Sequence, residues 1–359
     1  MRIYLFPGQG SQAKGMGDGL FDEFPELTRT ADTLLGYSIK ELCLQDPRGE
    51  LDRTEFTQPA LYVVNALSLE QRRRNQEPVP DVVAGHSLGE FNALYAAGCY
   101  SFATGLELVK KRGELMSQAT GGAMAAVLNA SEQEVRSILA GNGITTIDLA
   151  NFNTPSQIVL SGPAADMEVV KPLFQTGRHL FMPLRTSAAF HSRYMEPARA
   201  EFAQFLQRFS FAEPSVPVIS NVTAQPYGRA DVRDLLARQI VSPVCWTDSI
   251  AGLLAQGDAE FEEIGHGKVL TKLVQKIRRE LPDPPPRPAP ATGRPELADE
   301  LVRRWNQTYA IGTRVKSTIG IHELLETATP ATVLFGHRAA VYMKGYRGYF
   351  DLTEIEPVG

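Results

Sequence analysis

The chain has 359 residues, of which 43% are hydrophobic and 21% charged, and its formal net charge is -5. This length is enough for a sizeable core and suggests one large domain with a smaller companion. The acidic balance argues against a general nucleic-acid-binding protein. The three cysteines are widely spaced, so they form neither a CxxC metal pair nor a disulfide framework and suit a reducing compartment.

The N-terminal residues predict neither export nor membrane insertion. Residues 1–12 contain one basic residue and only a short apolar run before Pro7, too short for the core of a signal peptide. No later window reaches the roughly 18 apolar residues of a membrane span. We therefore expect a cytoplasmic protein with no membrane association.

The first hundred residues alternate strand and helix patterns. Residues 1–6 predict a buried strand that enters the loop PGQGSQ, and residues 58–71 have helical apolar spacing with Thr57 as a plausible N-cap. Residues 81–84 predict a second strand, followed by GHSLGE and a helix over 91–97. Strand, glycine turn and helix in succession are typical of an α/β domain with a parallel sheet.

Between Gly122 and Phe190 the pattern changes to β-α-β-β-α-β, the order of ferredoxin-like modules. We therefore expect a small domain over residues 122–191, inserted into a large domain made of residues 1–121 and 192–280.

The remaining residues form a third region. Residues 281–295 contain seven prolines in fifteen residues, which predicts a semi-rigid linker. Residues 296–359 begin with an amphipathic helix pattern and continue with segments rich in β-branched and aromatic residues. They predict a small, mainly-β extension that resembles a barrel.

The pentapeptide at residues 85–89, GHSLG, matches the nucleophile elbow G-x-S-x-G around Ser87. A serine hydroxyl needs a base within hydrogen-bond distance. His86 should point away from Ser87 across the turn, whereas His191 follows the small domain and could return to the large one. His337 lies in an aromatic segment, which favours a structural role for it. On these features alone, an ordinary turn and a hydrogen-bonded loop histidine stay open as alternatives.

Nine segments, in chain order, carry a specific resemblance: LFPGQGSQ, FTQPAL, GHSLGE, KRGELM, GAMAAV, NFNTPSQIVLSG, AAFHS, SPVCW and EEIGHGKVLTKL. They resemble malonyl-CoA:acyl carrier protein transacylases and the acyltransferase domains of polyketide synthases, from residue 1 to about 280. The resemblance implies an α/β-hydrolase-like core with an inserted ferredoxin-like subdomain.

The resemblance also implies roles for individual residues. Ser87 is the acylated nucleophile, and His191 is the general base and acid, oriented by backbone carbonyls and not by a carboxylate. Ser242 occupies a position where the family commonly has asparagine; because the contact is from the main chain, we expect the departure to matter little. The backbone N–H groups of Gln9 and Leu88 are implied to form the oxyanion hole.

Substrate choice is assigned in the same way. A run such as Lys110–Arg112 would by itself favour a solvated helix face, but the KRGELM context makes Arg112 the anchor of the malonyl carboxylate. Gln58 is similar to a glutamine lining the same pocket. Phe190 and Leu88, beside the base and the nucleophile, resemble the residues of malonyl-selective enzymes, and methylmalonyl-selective ones tend to have serine in place of Phe190.

The resulting hypothesis is a ping-pong enzyme with no metal and no permanently bound cofactor. It takes malonyl from malonyl-CoA to the phosphopantetheine thiol of an acyl carrier protein. The region beyond residue 280 resembles the one that follows the freestanding enzymes of trans-acyltransferase polyketide synthases, which favours polyketide carriers.

Several alternatives remain. One is a housekeeping transacylase of fatty-acid synthesis, and another is a hydrolase of carrier-bound acyl groups, which would not need Arg112. An esterase would need an HGGG-like loop and an acid between serine and histidine, and a non-catalytic scaffold would need none of these residues. The acidic carrier would dock on a basic patch, for which Arg72–Arg74 and Arg278–Arg279 are candidates.

Overall fold

The computed structural model describes residues 1–186, 188–228, 231–281, 295–317, 324–334, 338–344 and 349–358. The chain separates into two compact units, Met1–Leu281 and Pro282–Gly359. Most of the proline-rich segment, together with His337, lies outside the described residues.

A parallel sheet forms the centre of the first unit. Its strands are β1 (Arg2–Phe6), β2 (Val82–Gly85), β7 (Val218–Ile219) and β8 (Glu260–Glu263), in the order β7-β2-β1-β8. The residues of β1 from Ile3 onward and all of β2 are buried, as expected for parallel strands covered on both faces. Phe6 pairs with Gly85, so the loops that leave β1 and β2 begin side by side.

In the described part of the first unit, ten helices lie outside the inserted subdomain. They are α1 (Leu20–Glu23), α2 (Pro25–Leu35), α3 (Ile39–Leu44), α4 (Thr54–Arg74), α5 (Gly89–Ala96), α6 (Phe102–Ser117), α9 (Glu196–Leu206), α10 (Val232–Gln239), α11 (Trp246–Leu254) and α12 (Val269–Glu280). A short 3-10 turn over Arg193–Met195 precedes α9. Helix α4 begins earlier than the sequence predicts, and the prediction of Thr57 as its cap is wrong. The Thr57 hydroxyl donates to the carbonyls of Leu51 and Arg53 inside the protein.

The inserted subdomain contains an antiparallel sheet with two helices. Its elements are β3 (Gly122–Leu128), α7 (Glu132–Gly141), β4 (Asp148–Thr154), β5 (Gln157–Pro163), α8 (Ala164–Val170), a 3-10 turn (Lys171–Phe174) and β6 (Leu180–Pro183). The strands lie in the order β4-β5-β3-β6. Ser131 and Glu134 form a capping box at the start of α7, which fixes where that helix begins. This is the ferredoxin-like arrangement that the sequence predicts.

The second unit contains α13 (Pro295–Thr308) and two three-stranded antiparallel sheets. The strands are β9 (Arg314–Ser317), β10 (Leu324–Glu326), β11 (Thr332–Leu334), β12 (Arg338–Tyr342), β13 (Tyr349–Asp351) and β14 (Ile355–Pro357), with a 3-10 turn at Leu352–Glu354. Trp305, Val315, Val341 and Phe350 belong to its own apolar cluster. The mainly-β character of the extension is therefore as predicted.

Within the described residues, no helix combines the length and the apolarity needed to cross a bilayer.

Candidate active site

Ser87 lies on a sharp turn between β2 and α5. Its φ of 51° is in the left-handed region, which residues with a side chain rarely adopt. The turn fits because glycines lie two residues before and two residues after Ser87: a Cβ on Gly89 would lie 1.9 Å from the carbonyl oxygen of Phe6. The sharp turn therefore presents the Ser87 hydroxyl at the carboxyl end of the sheet, next to the first turn of α5.

The side chains of Ser87 and His191 meet, although 104 residues separate them in sequence. The distance from Ser87 Oγ to His191 Nε2 is 2.7 Å. On the other side of the ring, Nδ1 donates to the carbonyl oxygens of Gln239 at 2.9 Å and Ser242 at 3.2 Å. This fixes the tautomer in which Nε2 can accept the serine proton, so the pair has the geometry of a nucleophile and its base.

Arg112 reaches the same hydroxyl from α6. It is only 1% exposed, and one terminal nitrogen lies 3.1 Å from Ser87 Oγ. The guanidinium also donates to the side-chain oxygens of Gln58 at 2.8 Å and Gln239 at 2.9 Å. Among the described residues no carboxylate forms an ion pair with it, and its Nε has no acceptor. A buried cation without a direct counter-charge next to a nucleophile is suited to a carboxylated substrate.

Burial shifts the pKa values of this cluster strongly. Burial and the neighbouring Arg112 charge lower the pKa of His191 to about 3, so the imidazole is neutral at physiological pH. Burial lowers the pKa of Arg112 to about 10, which still leaves it protonated. A neutral imidazole and a charged guanidinium thus both lie within hydrogen-bond distance of the serine hydroxyl.

The two amides predicted for an oxyanion hole lie on adjacent loops. Neither the N–H of Gln9 nor that of Leu88 has an acceptor among the residues that the structure describes. Gly8 lets the loops approach, because a Cβ there would lie 2.2 Å from the His86 carbonyl oxygen and 3.5 Å from the Leu88 nitrogen. Two free donors therefore flank the turn that carries Ser87.

The remaining predicted residues take different positions. Gln58 is buried and bonded to Arg112, and Ser242 contacts His191 through its carbonyl. Phe190 and Leu88 are both buried in the main apolar core.

Sequence reasoning missed four residues that hold the site together: Glu90, Asn221, Tyr227 and Gln239. Asn221 accepts the Ser87 N–H at 2.7 Å and donates to the Gly85 carbonyl at 2.7 Å, so it fixes the elbow. Glu90 accepts from Tyr227 and Gln239. Glu90, a charged residue in the largely apolar helix α5, was a signal in the sequence for this network.

A cleft opens beside His191, between the inserted subdomain and the rest of the first unit. Its volume is about 530 Å³. It is lined by Arg136, Asp148, Leu149, Phe152, His191, Arg193, Glu196, Val241 and Pro243. The cleft therefore reaches His191, the partner of Ser87, while Ser87 itself is not among the lining residues.

The other candidates from the sequence lie apart from this chemistry. His86 points to the inserted subdomain, with Nε2 at 2.8 Å from Asn153 Oδ1. Arg72, Arg73 and Arg74 each have a glutamate partner within the chain, which weakens their attraction for an acidic carrier. No group of three or more potential metal ligands is present among the described residues.

The fold, and a serine hydroxyl on a nucleophile elbow beside a histidine, define the class of protein as an α/β-hydrolase-like enzyme. The chain belongs to the acyl transferase domain family, which matches residues 3–315. It is 54% identical over 282 residues to the polyketide biosynthesis malonyl CoA-acyl carrier protein transacylase PksC of Bacillus subtilis, a match that covers 78% of this chain and 98% of PksC.

Solved structures agree with this assignment. A malonyl CoA-acyl carrier protein transacylase from Burkholderia pseudomallei superposes with a TM-score of 0.77 at 55% identity, covering 79% of this chain and 99% of that one. A malonyl-transacylase in complex with a type II polyketide synthase acyl-carrier protein superposes with a TM-score of 0.74 at 32% identity, covering 77% of this chain and 93% of that one. The family and the fold class predicted from the motifs are confirmed.

Proposed function

We propose that the protein moves a malonyl group from malonyl-CoA, through an ester on Ser87, to the phosphopantetheine thiol of an acyl carrier protein. The observation that carries this proposal is the pair of contacts on one hydroxyl. His191 lies 2.7 Å and the buried Arg112 guanidinium 3.1 Å from Ser87 Oγ. The site thus combines a base with a receptor for a carboxylate.

In the first half-reaction, Ser87 Oγ attacks the thioester carbon while its proton passes to His191 Nε2. The carbonyl oxygen becomes an oxyanion, which the amides of Gln9 and Leu88 stabilise. The C–S bond then breaks, and the leaving coenzyme A sulfur takes the proton from His191. In the second half-reaction, the carrier thiol gives its proton to His191 and attacks the ester, and Ser87 Oγ leaves with that proton.

Arg112 defines the cargo. Its charge is one cause of the low pKa of His191. A malonyl carboxylate bound to Arg112 offsets this charge, so the imidazolium formed during attack costs less free energy with malonyl than with acetyl. The anchor therefore both holds the substrate and favours proton transfer for a carboxylated acyl group.

We further propose that the recipients are carriers of a polyketide synthase. The similarity to PksC supports this over a fatty-acid carrier, and the buried Arg112 disfavours an acyl hydrolase, which needs no carboxylate anchor. No permanently bound cofactor takes part in this scheme, since both phosphopantetheine groups arrive with the substrates.

The experiment is intact mass spectrometry after mixing with malonyl-CoA. We expect wild type to gain one malonyl group and Ser87→Ala to gain none, whereas Ser68→Ala, a helix serine away from the site, labels normally. Arg112→Ala should lose malonylation by about 100-fold or more, because a charge-assisted anchor is removed. Persistent label on the Ser87 variant would overturn the proposal.

A further inference from the structure

A buried carboxylate lies directly behind the nucleophile and takes no part in the chemistry above. Glu90 is three residues from Ser87, on the first turn of α5, and is 0% exposed. One of its oxygens accepts from the Asn221 N–H at 2.9 Å and the Tyr227 hydroxyl at 2.6 Å. The other oxygen accepts from the side-chain amide of Gln239. A carboxylate so deeply buried is costly to retain, which suggests a role beyond packing.

Gln239 connects this carboxylate to Ser87, Arg112 and His191. Its Nε2 donates to the main-chain carbonyl of Ser87 at 2.8 Å, and its Oε1 accepts from Arg112 at 2.9 Å. Its main-chain carbonyl accepts from His191 Nδ1 at 2.9 Å. Any rotation of the Gln239 amide therefore disturbs the surroundings of Arg112.

The orientation of that amide is dictated by the partners at its two ends. A guanidinium only donates hydrogen bonds and an ionised carboxylate only accepts them. The amide oxygen must therefore face Arg112 and the amide nitrogen must face Glu90. Without an acceptor at residue 90, the Ser87 carbonyl alone would hold the amide nitrogen, and the amide could more readily turn its NH₂ toward Arg112, where two donors would meet.

We propose that Glu90 is a positioning residue that fixes the Gln239 amide and thereby aims the Arg112 guanidinium at the substrate carboxylate. This inference rests on the proposed function and deepens it: Glu90 contributes to the selection of carboxylated over uncharged acyl groups without touching substrate.

The test compares single-turnover acylation by malonyl-CoA and by acetyl-CoA, which lacks the carboxylate. In Glu90→Gln, the new amide keeps its oxygen toward Asn221 and Tyr227 and presents its NH₂ to Gln239. Gln239 must then rotate or lose that contact. We expect kcat/KM for malonyl-CoA to fall about 10- to 100-fold, as for a lost hydrogen bond to a charged group. Acetyl-CoA should change by less than about threefold, so the malonyl-to-acetyl ratio falls.

Two further variants keep the test decisive even if Glu90→Gln does not fold. Gln239→Ala removes the side-chain amide but keeps the carbonyl that holds His191, and it should lower the ratio similarly. Ser68→Ala, the control away from the site, should leave the ratio within about twofold. Melting temperatures show which variants are folded.

The outcomes separate the inference from the proposed function. If folded Glu90→Gln or Gln239→Ala retains the wild-type ratio, or loses both substrates equally, Glu90 only supports the fold and the inference is overturned. If wild type itself is not malonylated on Ser87, the proposed function fails first.

Discussion

The pKa of His191 is lowered and the pKa of Glu90 is raised relative to their ordinary values, and these two shifts predict the pH dependence of acylation. The pKa of His191 is lowered to about 3, so it is already a free base above that pH. Burial raises the pKa of Glu90 to about 7, against hydrogen bonds from Tyr227, Asn221 and Gln239 and the charge of Arg112. Tyr100 also interacts with this carboxylate, but its own pKa lies far above this range.

We therefore expect kcat/KM for malonyl-CoA to fall as the pH drops below about 7, because Glu90 becomes protonated and can no longer act only as an acceptor. His191 should add no decline between pH 5 and 7, since its pKa is about 3. Stopped-flow acylation from pH 5 to 9 measures this. In Glu90→Gln the acid limb should vanish and leave a lower, flat profile; an unchanged limb would assign it to another group.

The size of Phe190 predicts how well the site tolerates a branched acyl group. Its buried ring lies next to His191 in the chain, and a bulky residue there leaves less room for a methyl on the malonyl carbon. One methyl is worth about 1–3 kcal/mol, so we expect malonyl-CoA to be preferred over methylmalonyl-CoA by about 10- to 200-fold without absolute exclusion. Competition between the two thioesters, read by mass of the acyl-enzyme, measures the ratio. Equal efficiency would contradict the assignment.

The residues that the sequence reveals are those embedded in short motifs. Ser87 and Arg112 lie in GHSLGE and KRGELM, and His191 in AAFHS. Gln239 and Asn221 are hydrogen-bonded to Ser87 although they lie 152 and 134 residues away in the sequence, and no local pattern marks either of them. Their roles depend on which segments the fold brings together, so only the structure could identify them.

At the level of elements, the nucleophile turn depends on close backbone approach. Gly89→Ala would place a Cβ 1.9 Å from the Phe6 carbonyl oxygen, and both atoms belong to rigid elements, β1 and α5. We expect a loss of more than about 3 kcal/mol in the free energy of unfolding and no acyl-enzyme. Urea denaturation and intact mass measure the two effects.

Gly252 gives the matched control. It is a glycine within α11, and a Cβ there meets nothing within 4 Å. Gly252→Ala should stabilise the protein by about 0.5–1 kcal/mol, because alanine loses less backbone entropy in a helix. If Gly89→Ala behaved like Gly252→Ala, the close-approach argument would be wrong.

Element boundaries were harder to predict than element types. Helical apolar spacing from residue 58 onward, with Thr57 as a plausible N-cap, predicted a helix that starts at residue 58. Helix α4 nevertheless runs from Thr54 to Arg74 with Pro59 inside it, and residues 57–67 are all buried. Burial of this turn against the core overrides the local signal, a tertiary effect that sequence alone does not carry.

At the level of the whole molecule, the inserted subdomain supports the base. Strand β4 exchanges backbone hydrogen bonds with the segment after Ser242: Phe152 N–H donates to the Val244 carbonyl at 2.9 Å, and Val244 N–H to the Ala150 carbonyl at 2.8 Å. Because the Ser242 carbonyl accepts from His191, the insertion helps to hold the segment that orients the imidazole. Both parts of the first unit therefore contribute contacts to the segment that positions His191.

The second unit contributes none of the described contacts at Ser87, His191 or Arg112, which all come from Met1–Leu281. Two apolar clusters of the first unit contain residues between Tyr4 and Ile264, and the second unit has a separate cluster. We therefore expect a chain ending at Leu281 to fold and to form the malonyl-enzyme at a rate within about twofold of the full chain. Intact mass and thermal unfolding measure this, with Ser87→Ala in the short chain as the blank. A folded short chain that fails to acylate would show that residues 282–359 take part in the first half-reaction.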